Sequence, residues 1–362
     1  MAGPLDSLLT DRAIAHGINL LRFTAGVRVK VLAILERMST ELTARLLDET
    51  VGVNTKARLS LLLADTNEII ERYYADVSGL AANKLAGLAR AEAASFRHAV
   101  RSAGASLAVQ LDAAMPSMNL LEAMAGDVMI QKAPSAAWWK QQGRNSVWRF
   151  SNEIRQGMAQ GETNAQIVTR IVGSKRRGIP GAMDISRADA QRLVHASVQT
   201  VANTARQMTF QANRDILAGI EQVSTLDGRT TDVCLAYSGA QWDMDYEPMN
   251  GTKLPYNNPD GTPGCPRHWN CRSLMVPVTR SLRELGIDLP DFAVSQRASE
   301  HGPVAASTTM KEWLATRTDA QLAAQLGKGR AELYKKGTIT LQQLLDQSGN
   351  PLSLKELEAL YD

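Results

Sequence analysis

Aromatic side chains supply only 5% of this 362-residue chain, although hydrophobic residues make up 44% of it. The apolar mass therefore lies in Ala, Leu, Ile, Val and Met, which favours closely packed helices over a core of large rings. Cysteine is scarcer still. Cys234, Cys265 and Cys271 form an odd number confined to one short stretch, which excludes a disulfide framework. Neither sign of charge dominates: 40 Lys and Arg face 37 Asp and Glu, a net +3. That excludes the dense basic excess of a dedicated nucleic-acid binder. No run of about 18 apolar residues occurs, and the opening MAGPLDSLLTDR has no basic segment followed by an apolar one. A soluble protein made in the cytosol, with neither membrane span nor secretory signal, is expected. A Gly-rich phosphate loop ending in Lys-Ser or Lys-Thr is also missing, which excludes a nucleotide-driven motor of that type.

What is present is helical periodicity. Leu21, Ala25, Val29, Leu32, Leu35, Met38, Leu42 and Leu46 recur at steps of three and four, predicting a long amphipathic helix that Gly52 ends. Asn54 can cap a second helix, whose pattern runs with few breakers to Pro116. Trp138, Trp139, Trp148 and Phe150 cluster after the Ala-Pro-Ser turn at 133–135, as residues of a core or docking surface do. Capping boxes are expected at Thr163 with Gln166, Thr309 with Glu312 and Ser353 with Glu356, and Ser186 is expected to cap a further helix. Gln222 to Leu226 and Leu274 to Val278 look like short strands separated by turn residues such as Asn250-Gly251 and Asp260-Gly261. The fold class is mainly α with a small β element. Its expected parts are a long-helix region at 1–132, a helical central domain at 133–280 with a Cys/His loop module at 222–278, and a linker and helical tail at 281–362.

Chemistry concentrates in that module. Cys265, His268 and Cys271 follow each other at steps of three, and Cys234 stands some thirty residues earlier. Two thiols and an imidazole in one loop, with Cys234 as fourth ligand, suit one structural zinc ion that would staple two strands. The alternative is a small core in which the cysteines are modest hydrophobes. Asp227, Arg229 and Asp232 read as architecture, with Arg229 and Arg272 able to bond several loop carbonyls from opposite sides. Lys175, Arg176 and Arg177 concentrate positive charge between Gly173 and Gly181, a contact point for double-stranded DNA if not a solvated loop. Arg187, Arg192, Arg206 and Arg214 could extend that basic surface. An enzyme reading, a nuclease or transferase using zinc or Cys234 with His268, lacks an identified third group. Among the five histidines His16, His98, His195, His268 and His301, no second catalytic partner stands out.

Taken in order, several residues resemble the Mu-F-like head morphogenesis, or minor head, proteins of tailed phages. They are Asn203, Ala205 and Arg206, then Asp227-Gly-Arg229-Thr230, Cys234, Gly239, and finally His268-x-Asn270-Cys271-Arg272 before a strand. The similarity is clearest over about 140–280. Here Ser273 follows Arg272 where family patterns often place another cysteine, and the cysteine expected shortly before Cys234 is absent, so this chain has fewer ligands to offer. The resemblance implies a non-enzymatic virion component of the head interior and portal region, made in the host cytoplasm. Its implied partners are the portal protein, the major capsid protein and phage DNA, with no membrane and no small-molecule substrate.

Overall fold

A computed structural model describes residues 4–48, 56–286, 296–299, 302–305, 308–346 and 350–361. Gly52, Asn54 and His301 lie outside them. Helices α1 (Pro4–Leu47) and α2 (Lys56–Ser106) are followed by α3 (Met118–Asp127), α4 (Ser135–Ala159), α5 (Asn164–Val172) and α6 (Ala182–Gln211). Strand β1 (Leu217–Val223), the short helix α7 (Asp232–Ala236), and strands β2 (Gln241–Asp243), β3 (Pro248–Met249) and β4 (Leu274–Thr279) come next. After the hairpin β5 (Gln296–Ser299) and β6 (Gly302–Ala305), the tail consists of α8 (Met310–Ala315), α9 (Asp319–Leu326), α10 (Lys328–Lys336) and α11 (Leu354–Tyr361). The fold is mainly α with a small β element, as the composition implies. None of the described helices is long and apolar enough to cross a membrane.

Both long helices follow the three-and-four rule, but α1 uses a different register from the one the sequence suggests. Its buried line is Leu20, Thr24, Val27, Val31, Leu35, Met38, Leu42 and Leu46, whereas Leu21 and Val29 are exposed. The helix carries apolar residues on more than one side, so its first half offers two stripes. The buried one includes Thr24, which a purely hydrophobic count passes over. Helix α2 buries Leu62, Thr66, Ile70, Tyr74, Val77, Ala81, Leu85, Leu88, Glu92, Phe96 and Val100, a continuous stripe interrupted by one carboxylate. Its helix stops at Ser106 rather than Pro116.

The chain divides into two compact units. One comprises 21–88 and 122–198, the other 1–20, 89–121 and 199–362. In the first, Gly143 of α4 lies against Tyr74, where an added Cβ would come 3.3 Å from the tyrosine. That close approach lets Tyr74 Oη, Ser146 Oγ and Ser186 Oγ form a buried chain with steps of 2.9 Å. Ser186 is therefore no helix cap: α6 starts one turn earlier, and the Gly181 N–H there is met by Asp184 Oδ2 at 3.1 Å. Trp139 and Phe150 are buried, while Trp148 is 67% exposed.

In the second unit β1 to β4 form an antiparallel sheet in the order β3-β2-β1-β4, and β5 pairs with β6 in a separate two-stranded sheet. Strand β1 begins at Leu217, five residues before the alternation becomes evident, because Ala218 and Gly219 carry little strand signal. Gly219 is required there, since a Cβ would meet the Trp242 carbonyl oxygen at 2.3 Å. One core gathers Phe96, Phe210, Leu217, Ile220, Tyr237, Trp242, Tyr256 and the three cysteines. A second packs Leu226 and Leu235 against Met310, Trp313, Leu322, Leu326 and Leu357 of the tail. The expected boxes at Thr163 and Thr309 form, as does that at Ser353; an unforeseen fourth joins Thr318 to Gln321.

Candidate metal-binding site

The module is built where β1 ends. Asp227 turns the chain by accepting the Arg229 N–H at 3.0 Å and the Thr230 hydroxyl at 3.2 Å on Oδ1. Helix α7 then starts at Asp232, an acid suited to a helix N-terminus, which also pairs with Arg330 of the tail. One turn into α7, Cys234 faces the sheet, and its carbonyl accepts the Ser224 hydroxyl at 2.7 Å. The other wall is the loop before β4. Asn270 adopts a left-handed φ of 65°, which asparagine tolerates better than most residues, and the turn closes with the Cys271 N–H donating to His268 O at 3.1 Å.

These two walls bring Cys234, His268 and Cys271 together, with their ligand atoms all within 4.8 Å of one another. Cys234 Sγ stands 3.3 Å from His268 Nε2 and 3.7 Å from Cys271 Sγ. Cys265 is buried and hydrogen-bonds Cys271, but it lies outside that group of three. His268 Nδ1 is 2.7 Å from the Trp269 carbonyl oxygen, which can only accept. The ring proton therefore sits on Nδ1, and Nε2 presents its lone pair to Cys234 Sγ and to Thr231 Oγ1 at 3.0 Å. Hydrogen bonds from Cys234 and Cys265 outweigh burial and hold the Cys271 thiol well below its ordinary range. The contact with Cys271, then burial, pushes Cys234 up, and burial first pushes Cys265 up. A nucleophilic Cys234 would need the opposite shift.

The expected scaffold is present in altered form. Arg272 forks onto Asp227, its Nη1 2.5 Å from Oδ2 and Nη2 2.8 Å from Oδ1, and bonds a carboxylate rather than loop carbonyls. Arg229 is largely exposed and reaches Asp227 Oδ2 at 3.5 Å. The carbonyl-bonding role belongs instead to Arg267. This buried residue donates to Tyr256 O at 2.6 Å and Gln222 Oε1 at 2.9 Å, and lies 3.7 Å over the Tyr237 ring. No local sequence pattern marks Arg267, because its partners Gln222 and Tyr256 are dispersed along the chain.

A second buried group also escaped notice. Glu92 accepts from Arg206 Nε at 2.7 Å and sits 2.8 Å from His16 Nε2. The signal was available: Glu92 is an acid on the buried stripe of α2. Arg206 therefore faces the interior and cannot contribute to a basic surface. Arg187, Arg192 and Arg214 are also paired, with Asp184 and Glu36, Asp189, and Asp245 respectively. Of the basic turn, a 3-10 segment at Lys175–Arg177, Arg176 and Arg177 are exposed; the Lys175 side chain lies outside the described residues.

No curated protein and no solved structure matches the chain. A family model does: residues 149–276 match the family described as phage Mu protein F like protein. The match lies inside the 140–280 stretch singled out above and takes in α5 through β3, the Asp227 turn, and Cys234, Cys265, His268 and Cys271. Over 149–276 the chain is similar to the Mu-F-like phage proteins.

Proposed function

We propose that the protein is a minor head protein of a tailed phage, a structural component without enzymatic activity that joins the portal and inner capsid during head assembly. The observation that carries this reading is the family match, because it covers the Asp227 turn and the Cys/His group as one ordered set. The exposed Trp148 on α4 suits the same role, since tryptophan is enriched where partners dock. Long helical faces also suit partner contact. The exposed Arg176 and Arg177 give the head protein a point of contact with packaged DNA. Its place is then the virion head near the portal, and the host cytoplasm before assembly.

The test is co-assembly. The chain is expressed with the portal and capsid genes of its phage, particles are isolated by sedimentation, and the chain in them is quantified with and without portal. Enrichment that requires the portal is expected. A chain that stays in the soluble fraction in both cases would overturn the reading.

A further inference from the structure

A tetrahedral zinc ion has Zn–S bonds of about 2.3 Å and Zn–N bonds of about 2.0–2.1 Å, so its ligand–ligand edges are about 3.8 Å for S···S and 3.6 Å for S···N. Cys234 Sγ and Cys271 Sγ are 3.7 Å apart, and Cys234 Sγ and His268 Nε2 are 3.3 Å apart. Two edges of a zinc tetrahedron are therefore already in place. The donor chemistry fits as well. Two sulfurs and an imidazole nitrogen suit zinc, and the Trp269 carbonyl holds the histidine in the tautomer a metal needs.

The fourth corner is the informative one. Cys265 is outside the group whose ligand atoms are mutually close. A small polar cleft reaches Cys234 and His268 and is lined by Thr231, Asn270, Arg229 and Arg272 among others, with neither Cys265 nor Cys271 in its wall. We propose that Cys234, His268 and Cys271 hold one zinc ion at three corners and that the fourth is an exchangeable oxygen donor, solvent in the free protein, entering from this cleft. The ion would tie α7 to the loop before β4, adding to the Asp227–Arg272 pair, the Ser224–Ser273 hydroxyl contact and the Thr231–His268 contact of the neighbouring residues. The Thr231 hydroxyl, 3.0 Å from His268 Nε2 and in the wall of the cleft, offers an oxygen donor there a hydrogen-bond partner.

The experiment uses the full chain purified from cells supplied with zinc. Elemental analysis is expected to give about one zinc per chain, and X-ray absorption at the zinc edge should give two sulfur and two nitrogen or oxygen scatterers. Cobalt exchanged into the same site should show thiolate charge-transfer bands, and its visible bands should shift on addition of acetate, the probe for an open corner. Cys265→Ser should keep the metal and the spectrum, whereas Cys271→Ser should lose both. A chain that purifies without metal, or with Cys234 and Cys271 joined as a disulfide, would overturn the proposal. Three sulfur scatterers in the unmodified chain would also overturn it by placing Cys265 at the fourth corner, and that measurement needs no variant to fold.

Discussion

Arg272 grips both carboxylate oxygens of Asp227 across 45 residues of sequence, joining the turn after β1 to the segment that enters β4. Burial pushes the Asp227 carboxyl up, but the fork from Arg272 and the Arg229 N–H more than offset this and hold it at about 2, below its ordinary 3.8. A carboxylate depressed in the folded state stabilises above its unfolded value and loses that contribution as pH falls through the folded one. Asp227→Asn should therefore lower stability by about 1–2 kcal/mol at neutral pH, the partial exposure of the pair reducing the usual worth of a charged hydrogen bond. The gap between the two proteins should stay level above pH 5 and close between about pH 4 and 2. Denaturant titrations at a series of pH values measure it, and a gap that does not depend on pH would show that the charge is not what matters.

The buried pair of Glu92 and Arg206 makes a larger prediction. Burial raises the glutamate, yet the Arg206 charge and then His16 hold it below the usual range, which favours the carboxylate where it meets Arg206. Removing one leaves the other buried without its counter-charge. Glu92→Ala should cost about 3–5 kcal/mol, while the double replacement Glu92→Leu with Arg206→Met should recover most of that. Unfolding of both variants in denaturant decides it. A single variant within 1 kcal/mol of the parent would contradict the pairing seen here.

How legible all this was depended on whether the signal is local. Capping boxes at Thr163, Thr309 and Ser353 could be read because donor and acceptor lie three residues apart. Thr318 with Gln321 follows the same grammar and was overlooked. Ser186 was misread because its neighbours allow a cap, and only the packing of Ser146 against it shows that the helix has already begun. Strands β2 and β3 are three and two residues long, too short for alternation to show. At the site, the steps of three from Cys265 to Cys271 mark the loop, but spacing alone does not say which of its residues meet Cys234; the fold brings Cys234 to His268 and Cys271. The place of Cys265 beside Cys271 rather than among the three is set by tertiary contacts, as is Arg267 beneath the aromatic rings. The family resemblance was legible because it rests on ordered side chains that the fold brings to one turn and one loop.

The tail should behave as part of the module and not as an appendage. Leu235 of α7 packs in one core with Met310, Trp313 and Leu357, while Arg330 joins Asp232 at the start of the same helix. Leu235→Ala should cost about 2–5 kcal/mol, as for other large-to-small core changes. It should also speed trypsin cleavage at Lys335 and Lys336, which lie in the last turn of α10. Mass spectrometry of the fragments locates the cuts. If the variant melts earlier but its tail is cleaved no faster than in the parent, the shared core is not what holds the tail.

The basic turn gives the sharpest test of DNA contact, because the other arginines considered with it are occupied by carboxylates. Arg187, Arg192, Arg206 and Arg214 are all paired, and Arg206 is buried as well, so among the described side chains of that set Arg176 and Arg177 are the exposed ones without a carboxylate partner among the ion pairs. Each phosphate contact adds about 0.9 to the slope of log K against log salt. The double change Arg176→Ala with Arg177→Ala should therefore reduce that slope by about 1–2 for double-stranded DNA and weaken binding equally across sequences. Fluorescence anisotropy between low and physiological salt reads both quantities. Replacing Arg192 and Arg214 in the same way should leave the slope unchanged, because their charge is already balanced in place. If that second pair lowers the slope as much as the first, the DNA lies elsewhere and the turn at Lys175–Arg177 is only a solvated loop.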